Sequence, residues 1–220
     1  MFQFLNLELL FLVISIFFSF LAYGIYYKSI FLKKSNPHLY SWLIWWIISI
    51  TVWIIQFNEN GWLWSINTFL VWFLCLWIAF LAFKKWDKNI TLSDKIYLFL
   101  WILSIIIWIF TTNAIYSIII LILVDIFGFI PTFRKLFQNP YDENILPYFL
   151  SFLWYSFSIL SLSNFTFITG WYVFLTAIFN LTLCFMVIYK RNIIEKLNNS
   201  ISSNFQTRPI LVESKKSKKL

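Results

Sequence analysis

The sequence predicts an all-α membrane protein with seven transmembrane helices, arranged as two parallel three-helix repeats plus a linker helix. Of its 220 residues, 61% are hydrophobic and 12% charged, so the chain has too little polar surface to cover a water-soluble globule. Runs such as LVWFLCLWIAFLAF are apolar on every side, whereas the strands of a membrane barrel alternate apolar and polar residues. Helices are therefore the predicted spanning element, because each satisfies its own backbone hydrogen bonds in lipid.

Seven stretches are long enough to cross a hydrocarbon core about 30 Å thick, which takes about 20 helical residues. We place the spans at residues 7–27, 39–57, 62–83, 94–109, 113–133, 145–162 and 170–189. The first stretch has no basic segment before it and no small-residue cleavage site after it. It is therefore predicted to be a retained span and not a signal peptide.

All 17 Lys and Arg residues fall on one side of the predicted membrane. They follow span one (Lys28, Lys33, Lys34), span three (Lys84, Lys85, Lys88, Lys95), span five (Arg134, Lys135) and span seven (the remaining eight). Cytoplasmic loops retain Lys and Arg, so the pattern predicts an external N-terminus and a cytoplasmic C-terminus in an inner or plasma membrane. Six or eight spans would break this alternation. The net charge of +8 is then topological and implies no nucleic-acid partner.

An internal repeat follows from the numbering of the spans. Gly24 lies twelve residues before Asn36 and its following proline, and Gly128 lies eleven residues before Asn139 and its following proline. The predicted units are residues 1–89, a linker helix at 90–112, and residues 113–190. Because the linker crosses once and each unit has three helices, both units have the same orientation. Residues 191–220 are predicted to form a basic cytoplasmic tail that is disordered past about Asn198, and its KKSKKL end is interpreted as solvated in preference to lipid-bound.

This three-one-three plan resembles the SWEET and PQ-loop superfamily of small-solute transporters and receptors over residues 7–189, and also uncharacterised bacterial integral membrane proteins. The stretch FGFIPTFRK resembles the family's Pro-Gln segment, with Pro131 as the proline and Thr132 where glutamine is expected. The corresponding stretch of the first repeat, YGIYYKSI, has no proline.

The resemblance implies a solute site on the third helix of each repeat, at Asn67 and Asn180, and stacking by Trp53 on the second helix. The second repeat offers only Trp154, which is poorly aligned. From the predicted ends, Asn180 lies about 15 Å and Asn67 about 8 Å below the outer surface at 1.5 Å per residue. Either span three begins further out, or the two asparagines do not face each other. The alternative for each is an interhelical hydrogen bond.

Asp125 is the only acid or base deep inside a predicted span, about 18 Å from its outer end. A charge there is costly, so the carboxyl group is expected to be protonated, paired or in a wet cavity, as a proton carrier or solute contact. The alternative is a neutral Asp bonded to Ser156 or Ser158. Gly24, Gly128 and Pro131 are candidate hinges between the units, although glycine also permits close helix packing.

An enzyme is not expected. The single His38 lies in a loop, and no Ser/His/Asp set, HExxH motif or glycine-rich phosphate loop is present. Cys75 and Cys184 are interpreted as small apolar fillers, and no metal or cofactor is expected. Many tryptophans, Trp42 among them, are interpreted as an interfacial belt.

The leading hypothesis is a transporter or facilitator of a small solute, a sugar among the candidates, working by alternating access. Its expected partners are the lipid bilayer, a small polar solute and a proton carried by Asp125. The alternative is a non-transporting scaffold, receptor or assembly partner on the same frame. Pairing with a second copy of the chain is left open by the sequence.

Overall fold

The computed structural model describes residues 2–58, 62–84, 92–111, 114–162 and 165–206, and these residues form helices without strands. The helices are α1 (Phe2–Phe31), α2 (Leu39–Asn58), α3 (Trp62–Lys84), α4 (Leu92–Thr111), α5 (Ala114–Gln138), α6 (Leu146–Leu160) and α7 (Phe167–Gln206). The all-α prediction is confirmed for this part of the chain. Among the described residues, four segments are long and apolar enough to cross a membrane: Leu7–Phe31, Leu39–Phe57, Ser65–Lys84 and Phe167–Ser202.

The last helix is longer than the sequence predicts. α7 continues to Gln206, beyond Asn198, where we expected order to end. No proline or glycine occurs between Gly170 and Pro209. Ile194, Leu197 and Ile201 keep an apolar spacing of three and four residues. Residues 207–220, with the KKSKKL end, lie outside the described residues.

α1 ends in a backbone turn whose left-handed residue is a lysine and not a glycine. Lys33 has a φ of 57°, and Lys34 N–H donates to the Ser29 carbonyl at 2.8 Å, while Lys33 N–H donates to the Ile30 carbonyl at 3.1 Å. This pair of bonds is the Schellman arrangement that closes many helices. The following residues lead directly into α2.

Helices one and three run parallel, and so do five and seven. Asn67 of α3 is bonded to Ser19 of α1, and further along both helices the Tyr27 hydroxyl donates to the Leu74 carbonyl at 2.7 Å. Asp125 of α5 is bonded to Thr176 of α7, and Phe129 packs on Phe179. In both pairs the contacts advance along the two helices in the same direction.

α2 and α6 run antiparallel to their neighbours. α2 packs on α3 and α5, and α6 packs on α7 and α1. The Thr68 hydroxyl of α3 donates to Gln56 of α2, and the Thr132 hydroxyl of α5 donates to Ser41 of α2. α4 packs on α5 and, to a smaller extent, on α2.

Basic residues gather where α1, α3 and α5 end. Lys28, Lys84 and Lys135 lie in the last turns of these helices, and Lys190 of α7 contacts Phe137 near the end of α5. We call this the basic end of the bundle and the other the opposite end. Large apolar side chains cover the outside between them, with Phe17 61% and Phe185 64% exposed, as expected for a surface in contact with lipid.

The two candidate hinge glycines have different surroundings. A Cβ atom on Gly128 would lie 3.0 Å from Ile44 Cγ2 and 3.1 Å from Trp45 Nε1, so glycine permits the close approach of α5 and α2. A Cβ on Gly24 would meet nothing within 4 Å. Pro131 is buried inside α5, which continues without a break to Gln138. A hinge motion at these residues stays a prediction.

Candidate functional site

A cavity lies in the middle of the bundle, among α1, α2, α3, α5, α6 and α7. The centres of water molecules fit into about 60 Å³ of it, room for about four to six waters. Its walls are Ala22, Tyr23, Tyr26, Trp42, Trp45, Ser49, Val71, Cys75, Phe129, Pro147, Tyr148, Ser151, Trp154, Tyr155, Tyr172, Thr176 and Asn180. Both predicted three-helix units therefore contribute to one space.

The cavity wall is aromatic and uncharged. Tyrosine and tryptophan side chains dominate, and Ser49, Ser151, Thr176 and Asn180 add hydroxyl and amide groups. None of the lining residues is Lys, Arg, His, Asp or Glu. Rings of this kind offer flat apolar surface with a polar tip, so the wall suits a small neutral solute that stacks and hydrogen-bonds.

A second, smaller cavity continues from the first toward the opposite end. The two share Ser49, Val71, Trp154, Tyr155 and Tyr172, so these side chains lie at the boundary between the two cavities. The remaining lining of the second cavity includes Gln56 near the end of α2 and Ser158 and Leu162 at the end of α6.

Aromatic rings close the cavity toward the basic end. The Tyr26 ring lies 5.0 Å from Trp42 and 6.2 Å from Tyr148 between centroids, and all three residues are buried. Beyond this layer the Tyr26 hydroxyl donates to Glu143 Oε1 at 3.2 Å. The floor of the cavity is thus connected to the loop between α5 and α6.

Glu143 is the centre of a group that we call the clasp, formed by Tyr26, Asn36, Lys135, Glu143 and Arg191. Lys135 Nζ lies 2.7 Å from Glu143 Oε1 and also donates to the Asn36 carbonyl. Arg191 of α7 donates to the Glu143 carbonyl at 2.8 Å. Burial raises the pKa of Glu143 although Lys135 acts to lower it.

The two Asn-Pro loops meet at the clasp. Asn36 N–H donates to the Asp142 carbonyl at 3.3 Å, and Asn144 N–H donates to Ser35 Oγ at 3.0 Å. Asn144 Nδ2 adds a bond of 2.8 Å to Ser29 Oγ on α1. The basic end of the bundle is therefore closed by polar bonds between the two predicted units.

Two of the predicted site residues lie at or beside the central cavity. Asn180 lines it and donates from Nδ2 to the Thr176 carbonyl at 2.8 Å. Asp125 is 1% exposed and lies behind Thr176, whose hydroxyl donates to Asp125 Oδ2 at 3.0 Å. The indole N–H of Trp45 on α2 also lies close to the Asp125 carboxyl group. The alternative role of Asp125 was a bond to a hydroxyl group such as that of Ser156 or Ser158, and the hydroxyl that bonds it belongs instead to Thr176 of α7.

Asn67 is not among the residues that line the cavity. Its Oδ1 accepts from Ser19 at 3.0 Å, and its Nδ2 donates to Ser15 Oγ at 2.9 Å. Ser15 in turn donates to the Trp154 carbonyl of α6 and lies 2.6 Å from Ser158 Oγ. Asn67 therefore makes the interhelical bonds that were its alternative role.

Trp53 also lies away from the cavity wall. Its ring packs on Phe69 at 4.9 Å and on Phe57 at 5.7 Å between centroids. Trp154 of the second unit, which the sequence aligns poorly with the family, does line the cavity.

Most residues of the aromatic wall were not among the predicted site residues. Trp42 was assigned to an interfacial belt, whereas it is 7% exposed and lines the cavity. A signal for this was present: Trp42, Trp45 and Ser49 of α2 have the spacing of Tyr148, Ser151 and Tyr155 of α6. Side chains that are three and four residues apart in the sequence lie on the same face of a helix.

Comparison with known proteins found no family model, no curated protein and no solved structure that matches this chain.

Proposed function

We propose that this protein is a transporter or facilitator of a small uncharged polar solute, which works by alternating access between two three-helix units. The observation that carries the proposal is the central cavity, because both units line it and polar bonds between the units close it at one end. Such a space between two bodies is where a carrier holds its solute.

The pattern of helix contacts supports two equivalent units. Exchanging α1, α2 and α3 for α5, α6 and α7 converts each neighbour pair observed among these six helices into another such pair, whereas α4 packs on α5 and α2. α1 with α3 becomes α5 with α7, α2 with α3 becomes α6 with α7, and α1 with α6 becomes α5 with α2. The same exchange preserves the parallel or antiparallel sense of each pair. These contacts support a proposed twofold relationship about an axis along the membrane normal, with α4 as the connecting span.

All seven helices are proposed to cross a cell membrane. α5 has 25 residues, about 37 Å at 1.5 Å per residue, and α4 has 20. α6 has 15 residues and lies between α1 and α7, so protein covers much of its backbone. The basic end is proposed to be cytoplasmic, which places the N-terminus outside. The described conformation is then closed toward the cytoplasm.

In this proposal the solute binds between the aromatic faces and contacts Asn180 and Thr176. Opening toward the cytoplasm requires the clasp and the ring layer of Tyr26, Trp42 and Tyr148 to separate. Asp125, behind Thr176, is the proposed proton carrier, because its carboxyl group is buried and one oxygen is bonded to a residue of the cavity wall.

Uptake by purified protein in proteoliposomes tests the proposal. Sugars, polyols, amino acids and small acids are offered to vesicles with wild type, Asn180→Ala and Asn67→Ala protein. We expect saturable uptake of one solute class, reduced by the first substitution and kept by the second. Absence of flux for every class, together with an experimental structure without a wet central path, contradicts transport.

The second candidate function, a scaffold, receptor or assembly partner, is supported by the bonds of Asn67. Asn67 and Ser15 join α1, α3 and α6 through side chains that a solute cannot reach. A purely structural bundle uses its polar groups in this way. This candidate predicts no flux and a stable protein partner that copurifies with the chain.

A further inference from the structure

A groove lies on the outer surface, between α5 and α7 near the basic end. This groove has a volume of about 380 Å³. Its lining consists of Ile126, Phe129, Ile130, Phe133, Arg134, Phe137, Phe179 and Met186. Seven of these eight side chains are apolar, and the exception is a cation.

A second basic residue lies beside the groove. Lys190 Nζ of α7 lies 3.4 Å from the centroid of the Phe137 ring, and Phe137, which lines the groove, is 56% exposed. Arg134 and Lys190 therefore approach the groove from α5 and α7 respectively. No acidic residue lines it.

We propose that this groove binds an anionic phospholipid, with an acyl chain along the apolar wall and the phosphate at Arg134 and Lys190. The groove faces outward, on the surface that a membrane bundle presents to lipid, which favours a lipid over a soluble ligand. Each basic residue near an anionic lipid surface strengthens binding by about fivefold, so two give a preference of about 25-fold over a zwitterionic lipid of equal chain length.

The other parallel helix pair is bridged by a tyrosine. Between α1 and α3, the Tyr27 ring reaches across and its hydroxyl donates to the Leu74 carbonyl at 2.7 Å. The groove between α5 and α7 is lined mainly by aliphatic and phenylalanine side chains. This difference favours the pair of α5 and α7 as the lipid site.

The groove and the central cavity share one wall residue. Phe129 lines both spaces, so its ring forms part of the wall between them. A bound acyl chain would contact the outer side of this ring. The lipid site itself does not depend on whether the protein transports a solute.

The test uses full-length protein in a neutral detergent, titrated with phosphatidylglycerol or with phosphatidylcholine of identical chains, and native mass spectrometry of the bound lipid. We expect wild type to prefer phosphatidylglycerol by about 25-fold and Arg134→Gln with Lys190→Gln to reduce the preference to less than about threefold. Water-soluble glycerol phosphate should not compete, because it lacks the acyl chain. Ile130→Trp, which fills the groove, should weaken binding of both lipids.

Lys84→Gln is the matched control. Lys84 also lies at the basic end, with Nζ 4.5 Å from the Phe80 ring on α3, but it does not line the groove. This variant should keep the wild-type preference. Equal binding of the two lipids by wild type, or an unchanged preference in both single variants Arg134→Gln and Lys190→Gln, overturns the proposal. A monodisperse elution profile and wild-type helical content establish that each variant is folded.

Discussion

Lys135 and Glu143 form an ion pair with 2.7 Å between Nζ and Oε1, and the two side chains are 15% and 3% exposed. The pair connects the end of α5 with the loop before α6, directly below the aromatic floor of the cavity. Because burial outweighs Lys135 in setting the pKa of Glu143, the two residues should not be equally important for stability.

Lys135→Met should destabilise the protein much more than Glu143→Gln. The methionine leaves a buried carboxylate without its counter-charge, a change that costs about 3–5 kcal/mol in buried pairs. Glutamine retains an acceptor for Tyr26 and Lys135 and removes the cost of burying the carboxylate charge. In this variant Lys135 still donates to the Asn36 carbonyl and remains partly exposed to solvent. Chemical unfolding in detergent at pH 8 measures the free energy of unfolding of both variants. The double variant should recover most of the stability that Lys135→Met loses. Equal losses in the two single variants contradict this assignment.

The pH dependence of stability should contain a contribution from Glu143. Its pKa is raised in the fold, so the protonated form is favoured there relative to the unfolded chain. The contribution is fully present below the ordinary glutamate pKa, about 4.3, and is lost as the pH rises through the raised value. Over that interval Tm of wild type should fall more than Tm of Glu143→Gln. Parallel melting curves for the two proteins would show that the carboxyl group titrates normally.

Gly128→Ala and Gly24→Ala should have opposite effects. The new methyl group at 128 would lie 3.0 Å from Ile44 Cγ2 and 3.1 Å from Trp45 Nε1, and overpacking of this kind typically costs about 1–3 kcal/mol. At 24 the methyl group meets nothing within 4 Å, and alanine in a helix is favoured over glycine by about 0.5–1 kcal/mol. Thermal unfolding of both variants measures the difference. A stabilised Gly128→Ala variant would show that α5 and α2 separate easily.

The sequence predicts the helices well because length and hydrophobicity decide whether a segment can form a helix in lipid. Each of the seven predicted spans overlaps a described helix, from α1 to α7. The largest error, in α7, was the predicted end of order near Asn198. Ile194, Leu197 and Ile201 continue the helical apolar spacing, and no proline or glycine occurs between Asn198 and Gln206.

The site was harder to predict because it depends on how each helix is rotated and on its position along the bundle. Asn67 and Asn180 are the same residue type on corresponding helices, yet only Asn180 lines the cavity. The unequal depths predicted for the two asparagines below the outer surface already indicated that they need not face each other. The bond from Lys135 to Glu143 depends on the path of a loop, which hydrophobic periodicity does not describe.

The two asparagines provide a matched pair of substitutions. Asn67→Ala removes two interhelical bonds, each about 0.6 kcal/mol in a membrane, and should lower stability by about 1 kcal/mol without changing the KM for solute uptake. Asn180→Ala removes a bond within α7 and a group of the cavity wall, so KM should rise by about tenfold while Tm changes less. Uptake kinetics and melting curves on the same preparations distinguish the two. A raised KM in Asn67→Ala alone would place the solute elsewhere.

Asp125→Asn tests the proposed coupling of transport to protons. Asparagine has nearly the same shape, and its Oδ1 can accept the Thr176 hydroxyl as Oδ2 of the aspartate does. The fold should therefore persist, while uptake loses its dependence on a pH gradient because the side chain no longer takes up a proton. Thr176→Val removes the bond to Asp125 and a proposed solute contact but keeps the carboxyl group, so it should raise the KM for uptake and preserve the dependence on the pH gradient. Gradient-driven uptake that is unchanged in Asp125→Asn excludes Asp125 as the carrier, and a loss of Tm without a change in pH dependence indicates a purely structural role.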